Sequence, residues 1–262
     1  MIVGANFSSP GGLMRSVLAC AVVVAASVAI TAQGDGRDQR FSLTSNGRDR
    51  SYRVFVPDSF GKSGPGPAVV LFNGSGSPVD GLFDPWKDIA RKEGVLLVGQ
   101  TAFAQGAWRI PEDSPDFTQE VIESAATKFA IDPRRVYLFG HSGGAGHVLL
   151  LGLLESEYFA AVGAHAGALR DSDRPLLDVP QRKIPMAIWV GTKDQMVPLK
   201  MVRDTLAILT ARDFPSRVFE IPGHTHSYAE RAKEVTEAAW EFLQKETLPA
   251  DPKFYRYPFK KP

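Results

Sequence analysis

The segment Gly140-His141-Ser142-Gly143-Gly144 sets a serine between glycines two positions before and two positions after it. Such spacing suits a strained turn that exposes a hydroxyl, too tight to accept side chains at the flanking positions. A serine hydroxyl is a poor nucleophile until a base takes its proton, and that base needs a carboxylate to orient it. Downstream, Asp194 closes Gly191-Thr192-Lys193-Asp194, and two histidines lie in Gly223-His224-Thr225-His226-Ser227-Tyr228. Serine, then acid, then histidine is one of the chain orders in which acyl-transfer triads occur. Asp204 and Asp213 fall on or after a helical stretch, where the geometry is wrong for the acid. Either histidine could be the base. His226 is favoured because it lies nearer the final helix and directly before Ser227-Tyr228, which leaves His224, beside Gly223, supporting or facing substrate.

Acyl transfer also needs donors for the developing oxyanion. The backbone N–H of Gly143 is one candidate. The other comes from Asn73-Gly74-Ser75-Gly76, where Ser75 is the expected donor and Gly76 the neighbouring alternative. Weaker candidates are His141 as a shaper of the turn, His147 as a packing residue, His165 at the border of the site, and Trp108 and Arg109 facing substrate. His224 and His226 are two residues apart in a loop with no further ligand cluster beside them, so no metal and no cofactor are expected.

The elements that must position these residues are legible in the apolar pattern. Residues 40–57 read as two extended segments around Ser45-Asn46-Gly47-Arg48. Residues 61–67 form a Gly/Pro loop. After it come continuous apolar runs at 68–72, 95–98, 135–139, 160–164 and 186–190, the signature of strands covered on both faces. The stretch 217–221 reads as the last strand. Helical patterns fall between them at 86–93, 114–128, 146–154 and 200–212, with a final helix at 230–245. Alternation of this kind predicts a doubly wound, mostly parallel α/β sheet with helices on both faces. Ser142, Asp194 and the histidine pair then each follow a strand. The tail from Leu248 is expected to pack on the surface.

The chain has 262 residues, 44% hydrophobic and 23% charged, with a formal net charge of +1. That balance favours neither nucleic acid nor an anionic membrane. Arg15, the apolar run 17–30 and Thr31-Ala32-Gln33 read as a secretory signal, too short to span a bilayer comfortably. Cleavage is expected after Ala32, and Met14 is a possible true start. Residues 33–262 are then expected to form one catalytic domain, secreted or periplasmic, with no stable membrane association. The sole cysteine, Cys20, lies inside the apolar run, so the mature chain would carry no disulfide.

With these residues in place, the chain resembles the secreted α/β-hydrolase esterases that include polyhydroxybutyrate depolymerases and feruloyl or acetylxylan esterases. The resemblance runs from about residue 50 to 243. It is carried by Arg50-Ser-Tyr-Arg-Val-Phe-Val-Pro57, Ile131-Asp-Pro-Arg-Arg-Val-Tyr-Leu-Phe-Gly-His-Ser142, Tyr158-Phe-Ala-Ala-Val162 and Gly191-Thr-Lys-Asp194. His226-Ser227-Tyr228 is similar to the histidine segment of esterase D-type enzymes, which again favours His226. The resemblance implies the α/β-hydrolase fold, with nucleophile, acid and base on Ser142, Asp194 and His226. Two positions depart from the pattern: Asn73-Gly74 stands where the family usually has His-Gly, and Gly143 stands where many depolymerases have Asn. No polymer-binding module is seen. These departures leave the hydrolase chemistry intact and do not carry polymer specificity over.

The expected activity is carboxylic-ester hydrolysis through an acyl-enzyme, on small-molecule or polymer esters. With no lid evident between strands, short acyl groups or exposed esters fit best. The rival readings are a peptidase-like member of the same fold and a non-catalytic binding protein on that scaffold.

Overall fold

The computed structural model describes residues 31–32, 36–104 and 107–257. Residues 1–30 of the expected signal segment 1–32, with Met14 and Cys20, lie outside the described residues. Among the described residues, nine strands form one sheet in the order β1-β2-β3-β5-β4-β6-β7-β8-β9. The first three, β1 (Thr31–Ala32), β2 (Gly36–Ser45) and β3 (Arg48–Pro57), run antiparallel, as the turn at Asn46-Gly47 requires. β1 lies upstream of the expected cleavage point, so cleavage after Ala32 removes that short strand.

The strands β4 (Gly66–Phe72), β5 (Leu96–Gln100), β6 (Ile131–His141), β7 (Val162–His165), β8 (Met186–Gly191) and β9 (Ser216–Ile221) are parallel. The apolar runs within β4 to β8 have a simple cause: successive side chains enter opposite cores. β9, at the sheet edge, instead carries Arg217 and Glu220 and is largely exposed. Val70, Phe72, Leu138 and Ile188 face one core. Val69, Leu71, Tyr137, Phe139 and Trp189 face the other. The helices α2 (Pro115–Ala126), α3 (Gly143–Leu154) and α4 (Leu199–Thr210) cover the first side. On the second side lie α1 (Asp80–Glu93) and α5 (Ala232–Leu243).

Several boundaries differ from the sequence reading. α1 starts at Asp80, six residues before the expected position 86, and carries Pro85 in its interior. Proline removes one helical hydrogen bond, but Leu82, Phe83, Trp86 and Ile89 share a buried face, and that packing outweighs the loss. The final helix is preceded by a 3₁₀ turn, Tyr228–Arg231, and a second 3₁₀ segment, Asp171–Asp178, had no clear sequence signal. The tail packs as expected: Leu248 is buried, its amide donates to the Arg134 carbonyl, and the Tyr255 amide donates to Glu155.

Candidate active site

The loops that follow β4, β6, β8 and β9 meet at the carboxyl edge of the sheet, where open α/β sheets bind ligands. At the end of β6, Ser142 adopts φ 54° and ψ −118°, and α3 starts at the next residue. A non-glycine residue there costs on the order of 1–3 kcal/mol and needs support from its surroundings. The Ser142 amide donates to the His165 carbonyl at 2.9 Å, and its own carbonyl accepts from Gly146 at 3.1 Å. The flanking glycines are sterically required. A Cβ on Gly140 would lie 2.4 Å from the Gly144 oxygen, and one on Gly144 would lie 2.2 Å from the Phe72 oxygen.

Asp194, whose side chain is fully buried, follows β8. Its Oδ1 accepts the amides of Met196 and Val197 at 2.9 and 2.8 Å, which fixes the carboxylate. The loop carrying it is stitched to the loop after β9, because the Lys193 amide donates to the His224 carbonyl at 2.9 Å. Gly191 permits that approach: a Cβ there would lie 2.1 Å from the same carbonyl.

His226 bridges the two. Its Nδ1 lies 2.8 Å from Asp194 Oδ2, and its Nε2 lies 2.8 Å from Ser142 Oγ. A carboxylate only accepts, so Nδ1 carries the proton and Nε2 is left to accept from the serine hydroxyl. The arrangement can deprotonate Ser142 and stabilise the resulting imidazolium. His224 takes a different place: its Nε2 lies 3.1 Å from His165 Nε2, and its side chain is fully buried.

The loop after β4 lies against Ser142 and Gly143. Gly74 and Ser77 close a turn with Gly76 at φ 72°, so Gly76 absorbs the left-handed position. A Cβ on Gly143 would lie 3.4 Å from the Ser75 nitrogen and 2.3 Å from Ser75 Oγ. The bare backbone at Gly143 is therefore what lets Ser75 come close. Gly143 also opens α3, where the first amides have no carbonyl one turn back and the helix dipole is positive.

Trp108 anchors this loop instead of standing free: its Nε1–H donates to the Asn73 carbonyl at 2.8 Å. The ring stacks on His147 at 5.1 Å and packs on Phe72 at 4.9 Å. His147 is buried, and burial lowers its pKa to about 3, so it is a neutral packing partner. The Arg109 amide donates to Asp113, as does that of Phe103, both at 2.9 Å. Arg50 Nη2 pairs with the same carboxylate at 2.7 Å. Sequence reasoning missed this Arg50–Asp113 clamp; Arg50 lies in the polar first half of β3, Arg-Asp-Arg-Ser, and nothing in the local pattern marks it for burial.

His141 and His165, the remaining candidates, lie side by side with their Nδ1 atoms 2.9 Å apart. Burial, and secondarily the charge of His226, lowers the His141 pKa to about 4. Burial lowers that of His165 to about 2.

The dienelactone hydrolase family model matches residues 42–248. Poly(3-hydroxybutyrate) depolymerase of Ralstonia pickettii is 28% identical over 95 residues, 31% of this chain. The match spans only 20% of that relative's length. An S-formylglutathione hydrolase structure from Agrobacterium tumefaciens aligns with TM-score 0.66 and 16% identity, covering 85% of this chain and 98% of that one. A ferulic acid esterase structure from Anaeromyces mucronatus aligns with TM-score 0.64 and 19% identity, covering 82% and 93%. At such identities the structural likeness establishes the α/β-hydrolase fold, and the family match agrees with the resemblance read from the sequence.

Proposed function

The chain belongs to the dienelactone hydrolase family, and from that premise we propose that it is a secreted serine carboxylic-ester hydrolase with Ser142, His226 and Asp194 as its triad. The supporting observation is the continuous hydrogen-bonded path from Asp194 through His226 to Ser142, with both contacts to the imidazole at 2.8 Å. His226 takes the hydroxyl proton as Ser142 Oγ attacks the ester carbonyl carbon. The amides of Ser75 and Gly143 receive the oxyanion, and His226 returns the proton to the departing alcohol. Water, deprotonated by His226, then attacks the acyl-enzyme, and the acid leaves as His226 returns that proton to Ser142 Oγ. Asp194 holds the ring's tautomer throughout.

The proposed substrates are short-acyl, carbohydrate-linked or polyester-type esters, as the resemblance implies. An open site agrees with Met196, 72% exposed two residues beyond the acid. Export rests on the leader pattern in residues 15–32, with residues 33–262 read as the catalytic domain.

Hydrolysis of p-nitrophenyl acetate and butyrate tests the reading. Turnover by the natural sequence and a loss of about 10⁴–10⁶-fold in Ser142→Ala are expected. Equal, near-background rates in both would overturn it.

A further inference from the structure

Each member of the reacting pair has a histidine beside it that the chemistry above does not use. His141 immediately precedes Ser142, and His224 lies two residues before His226. His165, buried at the end of β7, joins them: its Nδ1 is 2.9 Å from His141 Nδ1 and its Nε2 is 3.1 Å from His224 Nε2. Three imidazoles thus run in a line from the nucleophile turn to the base loop. The far end is His224 Nδ1, a buried nitrogen with no hydrogen-bond partner, 3.6 Å from Glu230 Oε2. That separation exceeds a hydrogen bond, yet it is short enough for the carboxylate to favour an N–H over a lone pair.

A neutral imidazole has one donor and one acceptor nitrogen. With both His165 nitrogens committed to neighbouring rings, the line has only two consistent protonation patterns, opposite in sense. We propose that His141, His165 and His224 form a brace that positions Ser142 against His226, and that Glu230 selects its tautomers. The selected pattern is Nδ1–H on His224, Nε2–H on His165 and Nδ1–H on His141. The catalytic consequence rests on the triad reading above; the tautomer pattern does not.

The main chain reinforces the brace, since Ser142 donates to the His165 carbonyl at 2.9 Å. Tyr228 walls it, with ring centroids 5.7 Å from His141 and 5.3 Å from His165. Gly74 leaves room for the near end: a Cβ there would lie 3.1 Å from His141 Cδ2 and 3.6 Å from Nε2. The charged and titratable groups acting on His141 are His226, Asp194, His165 and His224. Those acting on His224 are Glu230, Arg231, Asp194 and Glu234, with His165 in contact. Burial keeps His141 neutral near neutral pH, so no second cation stands 5.1 Å from the ring of His226 when that ring becomes an imidazolium.

The test combines ring ¹⁵N NMR of the histidines with kinetics on p-nitrophenyl butyrate. The full chain should show Nδ1–H for His141 and His224 and Nε2–H for His165. Glu230→Gln, a change at an exposed residue, should replace that pattern with mixed tautomers. His165→Phe keeps a ring but loses both contacts, and kcat should fall about 10–100-fold with KM moving less than about threefold, as for a small misplacement of reacting groups. Nε2–H on His141 in the natural chain, an unchanged pattern in Glu230→Gln, or wild-type kcat in a folded His165→Phe would each overturn the proposal. Should His165→Phe fail to fold, the Glu230→Gln comparison still decides the tautomer claim. Absence of hydrolysis by the natural chain would instead remove the triad reading and leave the ring pattern to be judged separately.

Discussion

His226 Nε2 meets Ser142 Oγ at 2.8 Å across a sequence separation of 84 residues. The contact depends on strand order. β6, β7, β8 and β9 lie side by side in sequence order and run the same way. The segments that leave β6, β8 and β9 therefore emerge at one edge, and each delivers one member of the path. His165, at the end of the intervening strand, fills the space behind the pair.

The two loop histidines should separate by mutation. His226→Ala is expected to lower kcat about 10⁴–10⁶-fold, as removal of a base does. His224→Ala should lower it by less than about 10²-fold, the scale of a disturbed geometry. Steady-state kinetics on p-nitrophenyl butyrate checks this, and a larger loss at position 224 would reverse the base assignment.

Trp108→Phe keeps the ring stack on His147 but removes the donor to the Asn73 carbonyl. Loss of one such bond should cost about 0.5–1.5 kcal/mol in denaturant unfolding. Because Asn73 leads into the loop that offers Ser75, kcat should fall as well. The fall should stay below the roughly 10²–10³-fold expected for deleting an oxyanion donor outright. An unchanged kcat would show that Trp108 does not help to hold that loop.

The elbow was legible because its requirements are local: an apolar strand, glycines two residues either side of a serine, then a helical pattern. Asp194 was legible for the same reason, since a buried strand ends three residues before it. The choice between His224 and His226 was not local. It turns on how the loop after β9 is stitched to the loop after β8, through contacts such as Lys193 to His224 that spacing cannot display. His165 read as a histidine at the border of the site, and its ring contacts were hidden because its partners are 24 and 59 residues away. The start of α1 was hidden by Pro85, whose local preference is overridden by burial of the helix face. Arg50 and Asp113 were not singled out in the sequence, because only the folded chain brings them together and buries both.

Glu155 gives a pH dependence whose sign follows from burial. Its side chain is buried, one oxygen accepts from the Tyr255 amide, and desolvation raises its pKa from 4.5 to about 8. Below pH 4.5 the group is protonated in both the folded and unfolded chain. Between pH 4.5 and about 8 only the unfolded chain releases the proton, so stability falls as pH rises, and above about 8 the loss is complete. Each pKa unit is worth about 1.4 kcal/mol. Glu155→Gln should therefore be more stable than the natural chain at about pH 9 and close to it at about pH 5. Denaturant unfolding at the two pH values checks this; parallel pH profiles would show that Glu155 is not the responsible group.

The central claim, that Ser142 is the nucleophile activated by His226, is tested most directly by covalent labelling with diethyl p-nitrophenyl phosphate. Intact mass and peptide mapping should show one diethylphosphoryl group per chain, located on Ser142. Ser142→Ala should remain unlabelled, and His226→Ala should label at least about 10³-fold more slowly, as expected when the base is lost. A label carried by another residue, or ester hydrolysis that persists with Ser142 unlabelled, would contradict the account.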